Sequence, residues 1–420
     1  MDDPYESAKL ASRLREGGGR RRFVGRKIAR DGTKQLIECC AQTQADVFAT
    51  SIGYGSHKCC AKNSTTDCSS YKQKLILKMR IAVVGAGVIG ITTAVAVKEA
   101  FPSTELTVFS EAFSPETTGD GSAGLWTPYI IANTDEQKIL RWSQATHKWL
   151  ESFWKSEMAS DVGVSLVPSY RLTSSSEGLP VPVWSDVVYG CSKLNKKQLE
   201  RLSKTNEKNY TAGYHYITYT CEPTKMLPFL MKKLRSMNVS IVKTKIKDLK
   251  KLKEQGFDVV INCSGIGSRE LCFDKSVIPI RGQVTRVKAP WMFETFLEED
   301  DEGNYVIPNM ESVVLGGTHQ ENDFSVYVCP NDLKFILNGC KRLYPSLDNA
   351  EVLKKWVGLR PGRDEVRLEL ENVRTEAGQD LTIVHNYGHG GCGITLSWGC
   401  AMDVVEMLRQ HLKTKNSSKL

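Results

Sequence analysis

The tightest constraint on this chain is a glycine turn set between a strand and a helix. Arg80 to Val84 reads as a short buried strand. Gly85-Ala86-Gly87-Val88-Ile89-Gly90 follows, and Val88 to Lys98 continues as a helix of small and β-branched residues. Leu106 to Phe109 is the next strand, which makes the unit βαβ. In such a unit Gly85 permits the turn, Gly87 lets backbone approach a pyrophosphate, and Gly90 lets the helix pack on the strand. The helix N-terminus, with its unpaired N–H groups, then faces the phosphate. Glu111 stands 21 residues after Gly90, about where a carboxylate accepts hydrogen bonds from a ribose. The pattern predicts dinucleotide binding.

Charge narrows the class further. The chain of 420 residues has a net charge of +8, but residues 1–78 carry 15 Lys and Arg against 8 Asp and Glu. That segment alone holds +7 and leaves +1 for the body, so nucleic acid is not an expected partner. Its basic run Arg20-Arg21-Arg22 with Arg26-Lys27 has no hydrophobic period, and Met79 sits immediately before the first strand. Residues 1–78 are expected to be a basic, disordered extension. Apolar runs such as Ile81 to Val84 and Ile394 to Leu396 are far shorter than the roughly 20 residues a membrane span needs, so no membrane partner is expected. Of the 13 cysteines, five (Cys39, Cys40, Cys59, Cys60, Cys68) lie in the extension and the others lack framework or zinc-ligand spacing. A reducing compartment fits. The chain ends Ser418-Lys419-Leu420, a tripeptide read by the peroxisomal import receptor, so the expected location is the peroxisome matrix.

A second glycine-rich run lies about three hundred residues later. His385-Asn386-Tyr387-Gly388-His389-Gly390-Gly391-Cys392-Gly393 precedes a helix expected over Ile394 to Leu412. Between the two runs, Asp258 to Cys263 reads as a strand ending in Ser264-Gly265-Ile266-Gly267. β-rich runs follow at Gly282 to Val287, Tyr305 to Ile307 and Ser312 to Leu315. Ile139, Trp142, Ala145, Trp149, Leu150 and Phe153 have helical spacing and read as core. His385 and His389 are four apart but lie in a glycine-rich loop with no carboxylate spaced to join them, so no metal site is expected.

The run from Ile383 to Gly393, with Gly399-Cys400-Ala401, resembles the signature of the D-amino-acid oxidase family. The resemblance extends to Thr117-Thr118, Ala123-Gly124-Leu125-Trp126, Arg281-Gly282-Gln283-Val284, Tyr305 with Pro308, Leu315-Gly316-Gly317-Thr318 and Gly358-Leu359-Arg360-Pro361. Within the family, Ser264 to Arg269 and Gly316-Gly317-Thr318 look more like the branch acting on D-aspartate. The resemblance implies an α/β fold: a Rossmann-like FAD-binding domain in discontinuous segments (79–130, 222–268 and 366–420) plus a mixed-sheet, α+β substrate domain (131–221 and 269–365). It implies non-covalent FAD on Gly85, Ala86, Gly87, Val88, Ile89 and Gly90, with Glu111 at the ribose. Thr117, Thr118, Gly124 and Leu125 would line its path, Ile246 and Ser264 would flank it, and Gly390, Gly391, Cys392, Gly393, Ile394 and Thr395 would meet the isoalloxazine.

The implied chemistry is hydride transfer from the Cα of a D-amino acid to flavin, reoxidation by O₂ to hydrogen peroxide, and hydrolysis to 2-oxo acid and ammonia. The cofactor carries the hard step and the protein supplies orientation. Arg360 is the expected bidentate partner of the α-carboxylate, Tyr305 donates to the same group, and the Gly391 carbonyl receives the amino group. His319 follows the Gly-Gly-Thr where the D-aspartate branch usually has Arg, and Glu298-Glu299-Asp300-Asp301-Glu302 occupies the lid. His319 with Gln320 still leans toward acidic substrates. An acidic lid would repel a dicarboxylate unless it points outward into water. Oxidation of neutral D-amino acids stays open, as does a nicotinamide-dependent dehydrogenase, which the first glycine motif and Glu111 alone permit. The second glycine run favours a flavin.

Overall fold

The computed structural model describes residues 79–129, 133–300 and 302–417. The extension 1–78, Asp301 of the acidic run and the terminal Ser418-Lys419-Leu420 lie outside the described residues, and so do the readings placed on them.

In chain order the strands are β1 (Arg80–Val84), β2 (Glu105–Ser110), β3 (Val164–Thr173), β4 (Tyr189–Lys193), β5 (Ala212–Cys221), β6 (Ser240–Lys243) and β7 (Val259–Asn262). They continue as β8 (Ile278–Lys288), β9 (Thr295–Glu298), β10 (Tyr305–Pro308), β11 (Val313–Gly316), β12 (Gln320–Glu321), β13 (Glu351–Gly362), β14 (Arg367–Arg374) and β15 (Asp380–Tyr387). The longer helices are α1 (Val88–Ala100), α2 (Glu136–Trp154), α3 (Lys196–Thr205), α4 (Pro223–Ser236), α5 (Pro330–Leu343) and α6 (Gly393–Ser417).

These strands make two sheets. The first has the order β14-β15-β7-β1-β2-β6. It is parallel from β15 to β6, with β14 antiparallel on its edge. A parallel sheet is covered on both faces and its strands read as continuous apolar runs. β1 shows how: Ile81 and Val83 face the core that holds α1 and α6, while Ala82 and Val84 face Phe109, Leu252 and Phe257 on the other side. Burying each Ile or Val contributes about 1.5–3 kcal/mol. α1 is apolar all round because it is enclosed, with Ile91 through Val97 all buried.

The second sheet has nine strands in the order β12-β8-β11-β10-β9-β3-β5-β4, with β13 also paired to β8. It is antiparallel except where β3 runs parallel to β9. Glu351–Gly362 has no clear alternation of polar and apolar residues, yet it forms the longest strand among the described residues. Its partner groups come from β8, a non-local pairing.

The aromatic stripe expected on the helix after Glu136 is core. Ile139, Trp142, Leu150 and Phe153 are buried, and Trp149 stacks on Trp398 of α6 with centroids 4.7 Å apart. Asp135 caps that helix by accepting from the Lys138 N–H at 3.0 Å. No helix among the described residues is long and apolar enough to cross a membrane.

Candidate active site

Parallel strands bring all their C-terminal ends to one edge, and ligands of open α/β sheets bind where the connections leave a central strand in opposite directions. β1 is that strand, with β2 on one side and β7 on the other. Gly85 follows β1, Glu111 follows β2, Ser264 follows β7, and the Gly388 to Gly393 run follows β15. Four segments far apart in sequence therefore converge on one cavity of about 490 Å³.

Gly85 has φ +109°, and a Cβ there would meet the Cys263 carbonyl group, with its carbon at 2.7 Å and the Ser264 Cα at 3.2 Å. The turn tolerates no side chain. Gly87 is different, since a Cβ there would find no atom within 4 Å. Open space therefore faces the start of α1, which no side chain caps. That is the environment an anion fills at a helix N-terminus.

The cavity is lined by Gly85, Ala86, Gly87, Val88, Ile89, Glu111, Thr117, Thr118, Gly124, Leu125, Ser264, Gly390, Gly391, Gly393 and Ile394. Four residues expected at the cofactor do not line it. Gly90 is spent on packing, since a Cβ there would collide with the Gly85 carbonyl. Ile246 packs on the cluster beneath β1 that contains Phe109 and Leu249. The Cys392 thiol is buried and donates to the Tyr129 carbonyl at 2.9 Å. Thr395 Oγ1 donates to the Thr127 carbonyl at 2.9 Å and accepts from the Thr127 N–H at 3.2 Å. Cys392 and Thr395 thus fasten the start of α6 to the 127–129 segment.

Elements of the second sheet close the other end. Arg360 on β13, Tyr305 at the start of β10 and His319 between β11 and β12 line the same cavity. A Cβ on Gly282 would lie 2.5 Å from the Arg360 guanidinium, so only glycine lets that group lie across β8. Arg360 Nη1 donates to the Thr318 carbonyl at 3.1 Å and the Arg281 carbonyl at 3.4 Å. It forms no ion pair among the described residues. Gly316 makes the matching space for the Tyr305 ring, its direct cross-strand partner. Burial raises the Tyr305 hydroxyl above its ordinary pKa, opposed by the positive Arg360 beside it. Tyr305 is therefore a neutral donor near neutral pH.

The sequence reading gave no role to Tyr129, whose ring approaches Gly391 so closely that a Cβ there would lie 2.6 Å from Cδ1. Burial pushes its hydroxyl up to about 12, with Arg360 opposing and Tyr305 and Glu299 adding to the rise. A lone Tyr three residues beyond Trp126 offers no spacing to mark it. Asn386 and His389 also line the cavity, and Asn386 Oδ1 and His389 Nε2 are buried without a hydrogen-bond partner among the described residues. Burial holds the His389 imidazole down at about 3, so it is neutral. Buried polar atoms without partners are rare, and these two fit a bound polar group. His385 instead contacts Glu371 at 2.9 Å and Asn262 at 3.3 Å.

The acidic run corrects an expectation. Its first three members, Glu298, Glu299 and Asp300, are met by cations from distant elements, whereas Glu302 is exposed. Glu298 is buried and pairs with Arg342 of α5 at 2.8 Å and Lys208 at 3.3 Å. Glu299 pairs with Arg171 of β3 at 2.8 Å. Asp300 accepts from Thr173 Oγ1 at 2.6 Å and the Ser174 N–H at 2.9 Å, and pairs with Lys208 at 2.9 Å. Burial opposes ionisation of Asp300, but the bonds from Thr173, Lys208 and Ser174 outweigh it and hold the carboxyl at about 2.

This lies below the unfolded value of about 3.9. Ionised Asp300 therefore stabilises the fold above about pH 4, and that contribution is lost as pH falls toward 2. Asp300→Asn is expected to lose stability at neutral pH and to show a shallower fall in Tm between about pH 4 and 2. Parallel Tm–pH curves for the two proteins would remove Asp300 from the account.

The family described as FAD dependent oxidoreductase, DAO, matches residues 80–407. The chain is 37% identical to D-aspartate oxidase of Homo sapiens over 331 residues, which is 79% of this chain and 95% of that enzyme. It is 38% identical to D-amino acid oxidase of Dugesia ryukyuensis over 338 residues, 80% of this chain and 98% of that one. Among solved structures, glycine oxidase from Geobacillus kaustophilus superposes with a TM-score of 0.63 at 17% identity, covering 79% of this chain and 95% of that chain. L-alpha-glycerophosphate oxidase from Mycoplasma pneumoniae, a structure with FAD bound, gives 0.59 at 14% identity, covering 79% and 95%. The likeness at these identities is one of fold.

Proposed function

Because this chain belongs to the DAO family of FAD-dependent oxidoreductases, we propose that it oxidatively deaminates D-amino acids, acidic ones foremost, to 2-oxo acid, ammonia and hydrogen peroxide. When bound, FAD supplies the two-electron acceptor. Gly85 to Ile89 and Glu111 would hold its phosphate and ribose end, and Gly390, Gly391, Gly393 and Ile394 its ring end. Asn386 and His389 supply buried polar atoms that need a partner.

The observation that carries the reading is Arg360. A guanidinium on the cavity wall, backed by two backbone carbonyls and no carboxylate among the described residues, is built to receive an anion from outside the chain. Tyr305 adds a neutral donor from the same sheet. The Gly391 carbonyl, in the same cavity, is the proposed partner of the substrate amino group.

The preference for acidic substrates rests on charge. His319 stands on the wall with Arg360, while Glu298, Glu299 and Asp300 are each paired with a cation. A dicarboxylate therefore meets less repulsion than the bare sequence implies. Neutral D-amino acids are the second reading, favoured by the imidazole at position 319, which offers less fixed charge than a guanidinium.

The test is an anaerobic absorbance titration of the flavin-containing protein with D-aspartate, D-alanine and L-aspartate. D-aspartate is expected to bleach the flavin fastest, L-aspartate not at all, and admitting air should yield peroxide. Faster bleaching by D-alanine would move the chain to neutral substrates. No bleaching by either D-amino acid would end the oxidase reading.

A further inference from the structure

Glu299 follows directly on β9. It lines the cavity, and its charge acts on Tyr129 together with Arg360 and Tyr305. Its carboxylate is therefore a charge on the wall that a ligand in this cavity meets. Of the neighbouring acids, Glu298 turns to Arg342 and Lys208, and Asp300 to Thr173, Ser174 and Lys208. Glu299 alone of these three is met by Arg171.

Arg171 is held from behind. It lies on β3 between Tyr214 of β5 and Leu297 of β9. Its guanidinium sits over the Trp184 ring, 5.7 Å from the centroid. Its Nη2 donates to Glu299 at 2.8 Å, while its Nε is buried without a partner among the described residues. The cation is thus under-used: one carboxylate engages one edge of a five-donor fork. Both side chains of the pair are about 20% exposed, so a solute in the cavity would feel them through a medium far less polar than water.

We propose that the Arg171–Glu299 pair sets the preference for side-chain charge in this site, with Glu299 screening Arg171 from the ligand and so limiting how strongly a second carboxylate is favoured. The inference rests on the reading that this cavity takes a carboxylate-bearing substrate. Removing the Glu299 charge would leave the charge of Arg171 uncompensated behind the cavity wall. Removing Arg171 would leave an unscreened carboxylate on that wall.

Succinate and butyrate make the test, since they have the same length and differ by one carboxylate. Each is titrated into the flavin-containing protein and binding is read from the flavin absorbance, with no turnover required. In Glu299→Gln, succinate is expected to bind about tenfold more tightly while butyrate stays within about twofold, the size expected of one charge at close range through partly buried protein. In Arg171→Met, succinate should weaken by about tenfold relative to butyrate. A ratio of the two dissociation constants unchanged in Glu299→Gln, or equal tightening of both ligands, would overturn the proposal. Glu299→Gln decides alone should Arg171→Met fail to fold. Absence of flavin reduction by D-amino acids would count against the oxidase reading and leave this ratio to decide the pair.

Discussion

Arg360→Ala is expected to lower kcat/KM for a D-amino acid by roughly 30-fold to several thousand-fold, equivalent to about 2–5 kcal/mol for truncating one partner of a desolvated charge pair. The guanidinium has no internal carboxylate to release, so the loss falls on the ligand and not on the fold. Flavin content and Tm should stay close to wild type, which separates a binding role from a structural one. Arg360→Lys should recover only part of the loss, because an ammonium keeps the charge but not the planar fork. Unchanged KM and kcat in the alanine variant would show that the α-carboxylate is held elsewhere in the cavity.

Gly85→Val should act on the fold and the cofactor together. At φ +109° an ordinary residue is strained by about 1–2 kcal/mol, and a β-branched side chain would be driven into the Cys263 carbonyl, adding about 1–3 kcal/mol of overpacking. The combined cost of roughly 2–5 kcal/mol is a large part of a domain's stability. The variant is expected to unfold at lower temperature even without flavin and to purify colourless. Gly87→Ala supplies the contrast. A Cβ there touches nothing in the protein, so the flavin-free chain should keep its stability within about 0.5 kcal/mol while its affinity for FAD falls. If both variants behaved alike, the open space over Gly87 would not be where the cofactor runs.

Much of this was legible in the chain before folding. The βαβ unit at Arg80 announces itself because its signals are local: a strand must be apolar on both faces, the turn must be glycine, and the helix must begin at once. The second glycine run is equally local. Tyr129 left no such trace, since its importance comes from lying over Gly391, 262 residues away. The side-chain surroundings of Ile246, Cys392 and Thr395 left no local trace either. Ile246 packs on the cluster beneath β1, while Cys392 and Thr395 bond to the 127–129 segment.

The acidic run makes the division plainest. Sequence counts five carboxylates in a row and predicts repulsion, because nothing in Glu298 to Glu302 says what will face them. The tertiary structure brings Arg342 from a helix, Lys208 from a loop and Arg171 from a strand, and each acid described from Glu298 to Asp300 finds a cation. By itself the sequence determined the βαβ unit, the glycine turns and the family, since each of their motifs is made of residues within a few positions of one another. Only the fold decided which charges remain for a ligand, since electrostatic interaction depends on distance and burial, and pairing across the two sheets creates both.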